Sequence, residues 1–520
     1  MRDSLLSHFV GGTVSIGLGK ALTMVLGLIG TMIVSRHLPA EDLGQYLLIL
    51  LFAEFLEQIS GFGLFMALPH FITAEKDEHL LSSLINSALG FQFCVIIVVG
   101  SLATLFHAPI TSLLGSSPVA GLVLFVPLMF FLQSATRLTQ SALQGFMRWS
   151  RIGVSNAITG VTRFVLVIIL IVVFKAGILG LMAAEIGAQA GGLVFAYTGI
   201  PIQKRIEIDP HMIRKMLKFG FPLQLNDILT IIAGRVDTLI IGILLGPADV
   251  AYYSIANKIP SMINQIYITF RQIYFPLLSD LYRKGDKKRV SQLLNVSTRL
   301  VSFFTTLGVL IAALFGREVI VLFFSERYLA SVTVFTLVMF ALSMSLLDYT
   351  LGVSLVAIGD TDKPALINIA DTAISLAGNL FFIPILGVPG APLADLAGRL
   401  VTNPLNVFFL RRRDIEVHVV NYLMPFLNLS IHIVAIAILQ PVTIMERIPF
   451  LVTFLAASLL LSVASIDEII ALLSEVRAML QKSQPAHQVD VKTNTDRLFF
   501  VYSTRQPYQD SEVITERPIR

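Results

Sequence analysis

The feature that most limits how this chain can fold is a succession of long apolar windows joined by short polar connectors. Fourteen such windows follow one another between residues 11 and 467. An apolar run of about 20 residues is what an α-helix needs to cross a bilayer. Because the runs are continuous, they predict helices and not the short alternating segments of a membrane β-barrel. The predicted spans are 11–35, 43–67, 81–107, 118–145, 152–174, 177–200, 219–245, 249–278, 296–323, 331–358, 363–386, 389–411, 419–440 and 447–467.

The low charge content excludes most other classes of protein. Only 14% of the 520 residues are Asp, Glu, Lys or Arg, and 55% are hydrophobic. Soluble domains carry about 25% charged residues, and disordered or coiled-coil chains carry more. We therefore expect an all-α polytopic membrane protein with no cofactor, no metal site and no nucleic-acid partner. The net charge of +4 is attributed to basic connectors at the cytoplasmic face.

Lysine and arginine are unevenly distributed between alternate connectors. With a cytoplasmic N-terminus, the inner connectors hold 18 of these residues and the outer connectors hold 5. The positive-inside rule then predicts that both termini lie in the cytoplasm. We expect a multi-pass protein of the cell (inner) membrane. Two inner segments, 209–218 and 282–300, mix basic and apolar residues and are either short interfacial helices or plain connectors. The polar stretch 484–520 is typical of a disordered tail.

Two passages recur at nearly the same offset. PAEDLGQY at 39–46 resembles PADVAYY at 247–253, and GILGLMAAEI at 177–186 resembles GVPGAPLADL at 387–396. Their offsets of 207 and 210 equal six spans, so both copies enter the membrane in the same direction. We expect two six-helix lobes, 1–206 and 207–413, related by a pseudo-twofold axis along the membrane normal. Two extra helices in 414–470 and a cytoplasmic tail in 471–520 complete the predicted domains.

A few charged residues fall inside the predicted spans, where each costs roughly 3 kcal/mol on insertion scales. Four cations lie too deep to reach the headgroups easily: Lys20, Arg163, Arg235 and Lys258. Arg137 and Arg271 lie nearer the inner ends and are set aside as residues that can snorkel. Two interpretations of the deep cations stay open. They either line a shared cationic cavity, or they form internal ion pairs such as Arg235 with Asp227, eight residues apart.

Several stretches carry a resemblance to a known family. They are RHLPAEDLGQY at 36–46, LKFGFP at 217–222, RVDTLIIG at 235–242, LGPA at 245–248 and IPILGVPGA at 383–391. In their order and spacing, residues 5–465 resemble the polysaccharide transporters, or Wzx-type lipid-linked oligosaccharide flippases. These belong to the multidrug/oligosaccharidyl-lipid/polysaccharide exporter superfamily.

The resemblance implies a MATE-like fold of about 14 helices and two lobes around a central cationic cavity. In this family the cavity takes the pyrophosphate and sugar head of an isoprenoid-linked oligosaccharide and moves it outward for cell-surface polysaccharide synthesis. The family motif carries over only to Arg235 and Asp237, whereas Lys20, Lys258 and Arg163 are candidates from depth alone. Asp227 and Asp237 are candidates for ion coupling or pairing, with H⁺ or Na⁺ as the ion. Membrane lipids and polysaccharide assembly proteins are the other expected partners.

Charge favours this interpretation over its rivals. With a negative interior, exporting two negative charges is favoured by about 4.6 kcal/mol per 100 mV, at about 2.3 per charge. A drug/cation antiporter of the same superfamily would favour an anionic cavity, and a lipid II flippase stays an alternative. A polytopic glycosyltransferase or polymerase would usually show a large outer loop or an acidic catalytic cluster, so we expect no enzyme. A scaffold without transport would not need so many charges at depth.

Overall fold

The computed structural model describes residues 2–106, 125–202, 205 and 208–460. Within these residues there are fifteen α-helices and no strand. The helices are α1 (Arg2–His37), α2 (Ala40–Ser60), α3 (Leu64–Ala74), α4 (Glu78–Leu105), α5 (Val126–Gly145), α6 (Trp149–Val167), α7 (Gly177–Tyr197), α8 (Pro210–Leu244), α9 (Pro247–Arg283), α10 (Lys287–Phe323), α11 (Ser331–Ala357), α12 (Asp362–Leu386), α13 (Gly390–Arg412), α14 (Val419–Leu439) and α15 (Ile444–Leu460).

Within the described residues, every predicted span overlaps at least one helix, and the all-α polytopic class is confirmed. Residues 107, 118–124 and 461–467 of these spans lie outside the described residues. By length and composition, eight helices are able to cross a membrane: α2, α4, α6, α7, α10, α11, α12 and α14. Helices α8, α9 and α13 are also long, but they carry charges such as Asp227, Lys258 and Asp395. The predicted tail lies outside the described residues.

The second predicted span, 43–67, is broken near its end. Helix α2 stops at Ser60 and α3 starts at Leu64 after a turn in which Gly63 has a φ of +81°. Glycine adopts this left-handed conformation without steric cost. A side chain at Gly63 would also overlap the backbone of Gly220 in α8. The apolar pattern continues through the turn, so composition alone could not locate the break.

Neither basic connector forms a separate interfacial helix. Residues 209–218 are the N-cap and first turns of α8, where the Asp209 carboxylate accepts from two backbone N–H groups. Residues 282–300 contain a turn at Gly285, with a φ of +77°, between α9 and α10. In the last turn of α9, hydrogen bonds from Lys284 and Arg283 hold the pKa of the Asp280 carboxyl below its usual value.

Among the described residues, two buried apolar clusters lie mainly on opposite sides of the predicted lobe boundary. We call α1–α7 the N-half and α8–α13 the C-half. The first cluster runs from Leu64 to Ile200 in the N-half and also takes in Ile213 and Met216 from the start of α8. The second cluster joins α9, α10, α11, α12 and α13 to α14. Helix α8 is therefore shared, because its first turns pack into the N-half core. The lobe boundaries and the pseudo-twofold axis stay predictions.

The two halves meet along a seam that is held near both ends of α2. At the start of α2, a methyl group on Gly44 would overlap the carbonyl group of Pro247 at the start of α9. Close by, the Ser35 hydroxyl donates to the carbonyl oxygen of Phe324 at 3.2 Å. At the other end of α2, Gln224 of α8 accepts from the Gly63 N–H at 3.0 Å. The backbones of the two halves thus approach closely near both ends of α2. Polar side chains of the two halves meet between these two points.

Candidate functional site

A cavity of about 90 Å³ opens on the seam between α1, α2 and α6 of the N-half and α9 of the C-half. Two of the predicted deep cations, Arg163 and Lys258, line it together. They come from opposite halves, so the cavity wall changes whenever the halves move against each other. We call it the seam cavity.

Arg163 is tethered on one side and open on the other. Its Nε lies 3.0 Å from the Glu185 carboxylate, and its Nη2 donates to the Tyr46 hydroxyl at 2.6 Å. The Tyr46 hydroxyl in turn donates to Glu185 at 2.8 Å. The Glu185 side chain is only 5% exposed, whereas that of Arg163 is 40% exposed. A buried carboxylate thus orients a guanidinium that still faces the cavity. One turn later α6 becomes a π-helix over Ile168–Val173, a feature often found next to functional sites.

Lys258 has a different environment. Among the described residues no carboxylate lies within ion-pair distance of its Nζ, and the charged side chain that shares its cavity is Arg163. Because Glu185 already neutralises Arg163, the ammonium group leaves the seam cavity cationic. Two cations that face one cavity repel each other, and an anion bound between them would relieve that repulsion.

A second cavity of about 340 Å³ adjoins the middle of α8 and contains Arg137, Asp227 and Arg235. Arg235 and Asp227 do not pair with each other. Arg235 lies 3.7 Å from Glu54 of α2, and Asp227 lies 3.5 Å from Arg137 of α5. Both ion pairs cross the seam. Arg137, set aside as a snorkelling residue, therefore contributes to this cavity.

A third cavity, of about 260 Å³ and acidic, lies within the C-half between α8, α9, α11, α12 and α13. Asp237, Asp371 and Asp395 line it with Arg399, which is bound to Asp371 at 3.0 Å and to Asp348 at 2.8 Å. Thus Asp237 and Arg235, two residues apart, serve different cavities. No group of three or more His, Cys, Asp or Glu in the described part of the chain is arranged to hold a metal ion.

Two polar atoms of the acidic cavity are buried without a hydrogen-bond partner among the described residues. Asp371 Oδ1 and Asn379 Oδ1 have none among the described residues, although both side chains line the cavity. The Asp237 carboxylate accepts from the Tyr253 hydroxyl and from Thr238. Oxygen atoms that lack donors favour a cation or a proton in this cavity.

The internal repeat relates the acidic cavity to the seam cavity. The offset of 207 takes Tyr46 to Tyr253, and the offset of 210 takes Glu185 to Asp395. Tyr253 and Asp395 line one cavity, as Tyr46 and Glu185 contact each other. The same offsets place the counterpart of Arg163 within 370–373, which includes Asp371 and no basic residue. The two copies share a tyrosine and a carboxylate but differ in the sign of the third group.

The comparisons with known sequences agree with this architecture. The sequence model of a family described as "Polysaccharide biosynthesis protein" matches residues 33–333, more than half of the chain. The chain belongs to this polysaccharide biosynthesis protein family. The resemblance to polysaccharide transporters is thereby confirmed.

Two known proteins are similar in sequence to this chain. An uncharacterized membrane protein in the cps region of Klebsiella pneumoniae is 23% identical over 80% of this chain and 84% of its own. The succinoglycan biosynthesis transport protein ExoT of Rhizobium meliloti is 24% identical over 55% of this chain and 56% of its own. This member of the family is therefore a membrane protein related to a polysaccharide transporter.

Solved structures of two transporters share the fold. Lipid II flippase MurJ in an inward closed conformation matches with a TM-score of 0.68 at 16% identity, over 86% of this chain and 98% of that one. An inward-facing multidrug resistance MATE family transporter matches with a TM-score of 0.58 at 15% identity, over 75% and 94%. At these identities the likeness establishes the fold of this family member.

The sequence located only part of these sites. The side chain of Lys20 lies outside the described residues, although its backbone belongs to α1. Arg163, Lys258, Arg235, Asp227 and Asp237 are distributed over three cavities and do not form one. The residues that the sequence did not select as sites are Tyr46, Glu54, Arg137, Glu185, Asp371, Asp395 and Arg399. The repeat was the available signal for three of them, because Tyr46, Glu185 and Asp395 all lie within its matched passages.

Proposed function

We propose that this chain is a flippase that moves an isoprenoid-diphosphate-linked oligosaccharide from the cytoplasmic to the outer leaflet by alternating access. The observation that carries the proposal is the seam cavity, where Arg163 of the N-half and Lys258 of the C-half face one space. A diphosphate bears about two negative charges, and guanidinium and ammonium groups are the side chains that bind it best. The family membership and the succinoglycan transport relative support a glycan substrate. The chain would work in the cytoplasmic membrane, with both termini inside, beside polysaccharide assembly proteins.

Replacing Lys258 tests the cationic cavity. We expect Lys258→Met to slow the flipping of a fluorescent isoprenoid-diphosphate-linked sugar in proteoliposomes by about tenfold or more, because a charge-assisted contact with the head group is lost. Lys258→Arg keeps the charge and should retain most of the rate. Lys284→Met is the matched control, since Lys284 pairs with Asp280 at the end of α9. Flipping at the wild-type rate by Lys258→Met would rule out the proposed head-group site.

The acidic cavity is the best candidate for ion coupling. The sequence proposed Asp237 for this role, and Asp371 and Asp395 share its cavity with the single cation Arg399. In the N-half copy of the repeat, the Arg163 guanidinium neutralises Glu185. In the C-half copy, H⁺ or Na⁺ would neutralise the corresponding carboxylate, Asp395. The membrane potential would still favour export of the anionic head group by itself.

The variant Asp395→Asn distinguishes an ion gradient from the membrane potential as the driving force for flipping. We expect the variant to lose the acceleration that an imposed H⁺ or Na⁺ gradient gives to flipping, while keeping the acceleration caused by an inside-negative potassium diffusion potential. Running the two ion gradients separately identifies the ion. Asp280→Asn, an exposed carboxylate at the end of α9, is the control. A normal gradient response in Asp395→Asn would exclude this cavity from coupling.

The acidic cavity also favours a second candidate, a drug/cation antiporter. Its lining carboxylates would suit an organic cation, as the seam cavity suits an anion. Export of a cationic dye from dye-loaded proteoliposomes, competing with flipping of the sugar lipid, would support this function. Dye retention together with flipping would leave the flippase as the function.

A further inference from the structure

Two ion pairs connect the middle of α8 to the N-half, and they are arranged reciprocally. The C-half contributes the cation of one pair, Arg235, and the anion of the other, Asp227. The N-half contributes the partners, Glu54 and Arg137. In each of these two pairs one half supplies the arginine and the other half supplies the carboxylate, and a further N-half carboxylate, Glu57, also binds Arg137.

These two pairs are much looser than the neighbouring pair within one half. Nη1 of Arg137 lies 3.0 and 3.1 Å from the two carboxylate oxygens of Glu57, whose side chain is only 7% exposed. Its Nη2 reaches across the seam to Asp227 at 3.5 Å, and Arg235 is 3.7 Å from Glu54. Charge-assisted hydrogen bonds are usually about 2.7–2.9 Å long. The arginines are thus oriented at the seam but only weakly held across it.

The location makes both arginines accessible to a ligand. Arg137, Asp227 and Arg235 line the same cavity of about 340 Å³. The Arg235 and Glu54 side chains are 52% and 38% exposed, so their attraction is partly screened by water. A phosphate group offers several oxygens in the geometry that a guanidinium binds in bidentate fashion, and it would compete well with one distant carboxylate.

We propose that Glu54 and Asp227 are internal substitutes for an anionic phosphate head group. In the empty carrier they occupy Arg235 and Arg137, which form a second anion site, separate from the seam cavity of Arg163 and Lys258. A diphosphate that binds the two arginines at this second site displaces the two carboxylates. Displacement removes the two ion pairs that connect α8 to the N-half, so that ligand binding itself loosens the seam. The role of Arg137 as a head-group ligand follows from the same geometry. This inference rests on the proposed function only for the identity of the natural ligand.

The test measures how tightly the purified full-length protein binds inorganic pyrophosphate at low salt, by titration calorimetry. Removing a competing carboxylate should tighten binding, by about threefold for Glu54→Gln or Asp227→Asn and about tenfold for the double variant, as expected for partly exposed pairs. The gain should disappear at high salt. Inorganic phosphate, with fewer oxygens, should gain less than pyrophosphate.

Two controls distinguish displacement from a general gain of positive charge. Glu57 also binds Arg137, but in the proposal the ligand does not displace it. Glu57→Gln should therefore not tighten pyrophosphate binding. Asp280→Asn makes the same charge change at the end of α9 and should have no effect. If Glu57→Gln tightens binding as much as Asp227→Asn, or if the double variant binds no better than wild type, the inference is wrong.

The outcome is separable from that of the proposed function. Tighter pyrophosphate binding in the double variant, in a protein that flips no sugar lipid, would keep the inference and overturn the flippase. Normal flipping with unchanged pyrophosphate affinity in every variant would keep the flippase and overturn the inference. Absence of pyrophosphate binding in wild type and all variants, together with absence of sugar-lipid flipping, would overturn both.

Discussion

Replacing Arg399 with methionine should destabilise the protein by about 3–5 kcal/mol, the usual cost of leaving a buried charge without its partner. The Arg399 side chain is 11% exposed and lies 2.8 Å from Asp348, which is 3% exposed, and 3.0 Å from Asp371. It also donates to Ser345 at 3.0 Å. Without the guanidinium, two carboxylates of the C-half core would lack a counter-ion. The measurement is the apparent melting temperature in detergent.

Two further variants make this expectation specific. Arg235→Met removes an arginine whose pair is 3.7 Å long and half exposed, so it should cost less than about 1 kcal/mol. The double variant Asp348→Asn with Arg399→Met should recover part of the lost stability, because it removes one of the uncompensated charges. An Arg399→Met protein that melts at the wild-type temperature would show that the acidic cavity does not need its cation.

Gly44→Ala should hold the two halves apart at the start of α2. A Cβ there would overlap the carbonyl group of Pro247, and backbone atoms cannot turn aside as a flexible side chain can. Overpacking of this kind typically costs about 1–3 kcal/mol, enough to depopulate the state in which α2 touches α9 by about tenfold. Under the proposed flippase function, flipping should fall by a similar factor, since alternating access would need that state in every cycle.

Cross-linking at the same end of the seam reports the separation directly. The Arg36 side chain donates a hydrogen bond across the seam to the backbone carbonyl of Leu322. With Cys94 replaced by serine, we expect a short bismaleimide to join cysteines introduced at positions 36 and 322. The yield should drop several-fold in Gly44→Ala. Gly17→Ala is the matched control, because nothing lies within 4 Å of a Cβ at that helical glycine. Equal yields in both variants would contradict the expected clash.

The helices were predictable because membrane burial imposes a simple composition on each span. The break at Gly63 was not, since its cause is the approach of Gly220 from 157 residues further along the chain. The same holds for the hydrogen bond between Tyr46 and Glu185, which are 139 residues apart. Local patterns do not encode which helix faces will meet.

The depth of a charged residue along its helix was a poorer guide to its cavity than apolar composition was to the helices. Depth grouped Arg163 and Lys258, which line one cavity, with Arg235, which lines another, and it set aside Arg137, which lines the cavity of Arg235. Depth gives the position of a residue along the membrane normal. Which residue it pairs with depends instead on the direction in which its side chain points around the helix axis. Spacing also placed Arg235 near Asp227, while each finds a closer partner on the N-half.

The duplicated tyrosine and carboxylate have a consequence for how such a carrier arose. If the chain descends from a fusion of two identical copies, both copies began with the same tyrosine and acid, now Tyr46 with Glu185 and Tyr253 with Asp395. In the present chain Arg163 binds the acid of one copy, whereas the corresponding positions of the other copy, 370–373, hold no basic residue. Under the proposed function, this single difference would have turned two equivalent copies into an anion site in one half and a cation site in the other.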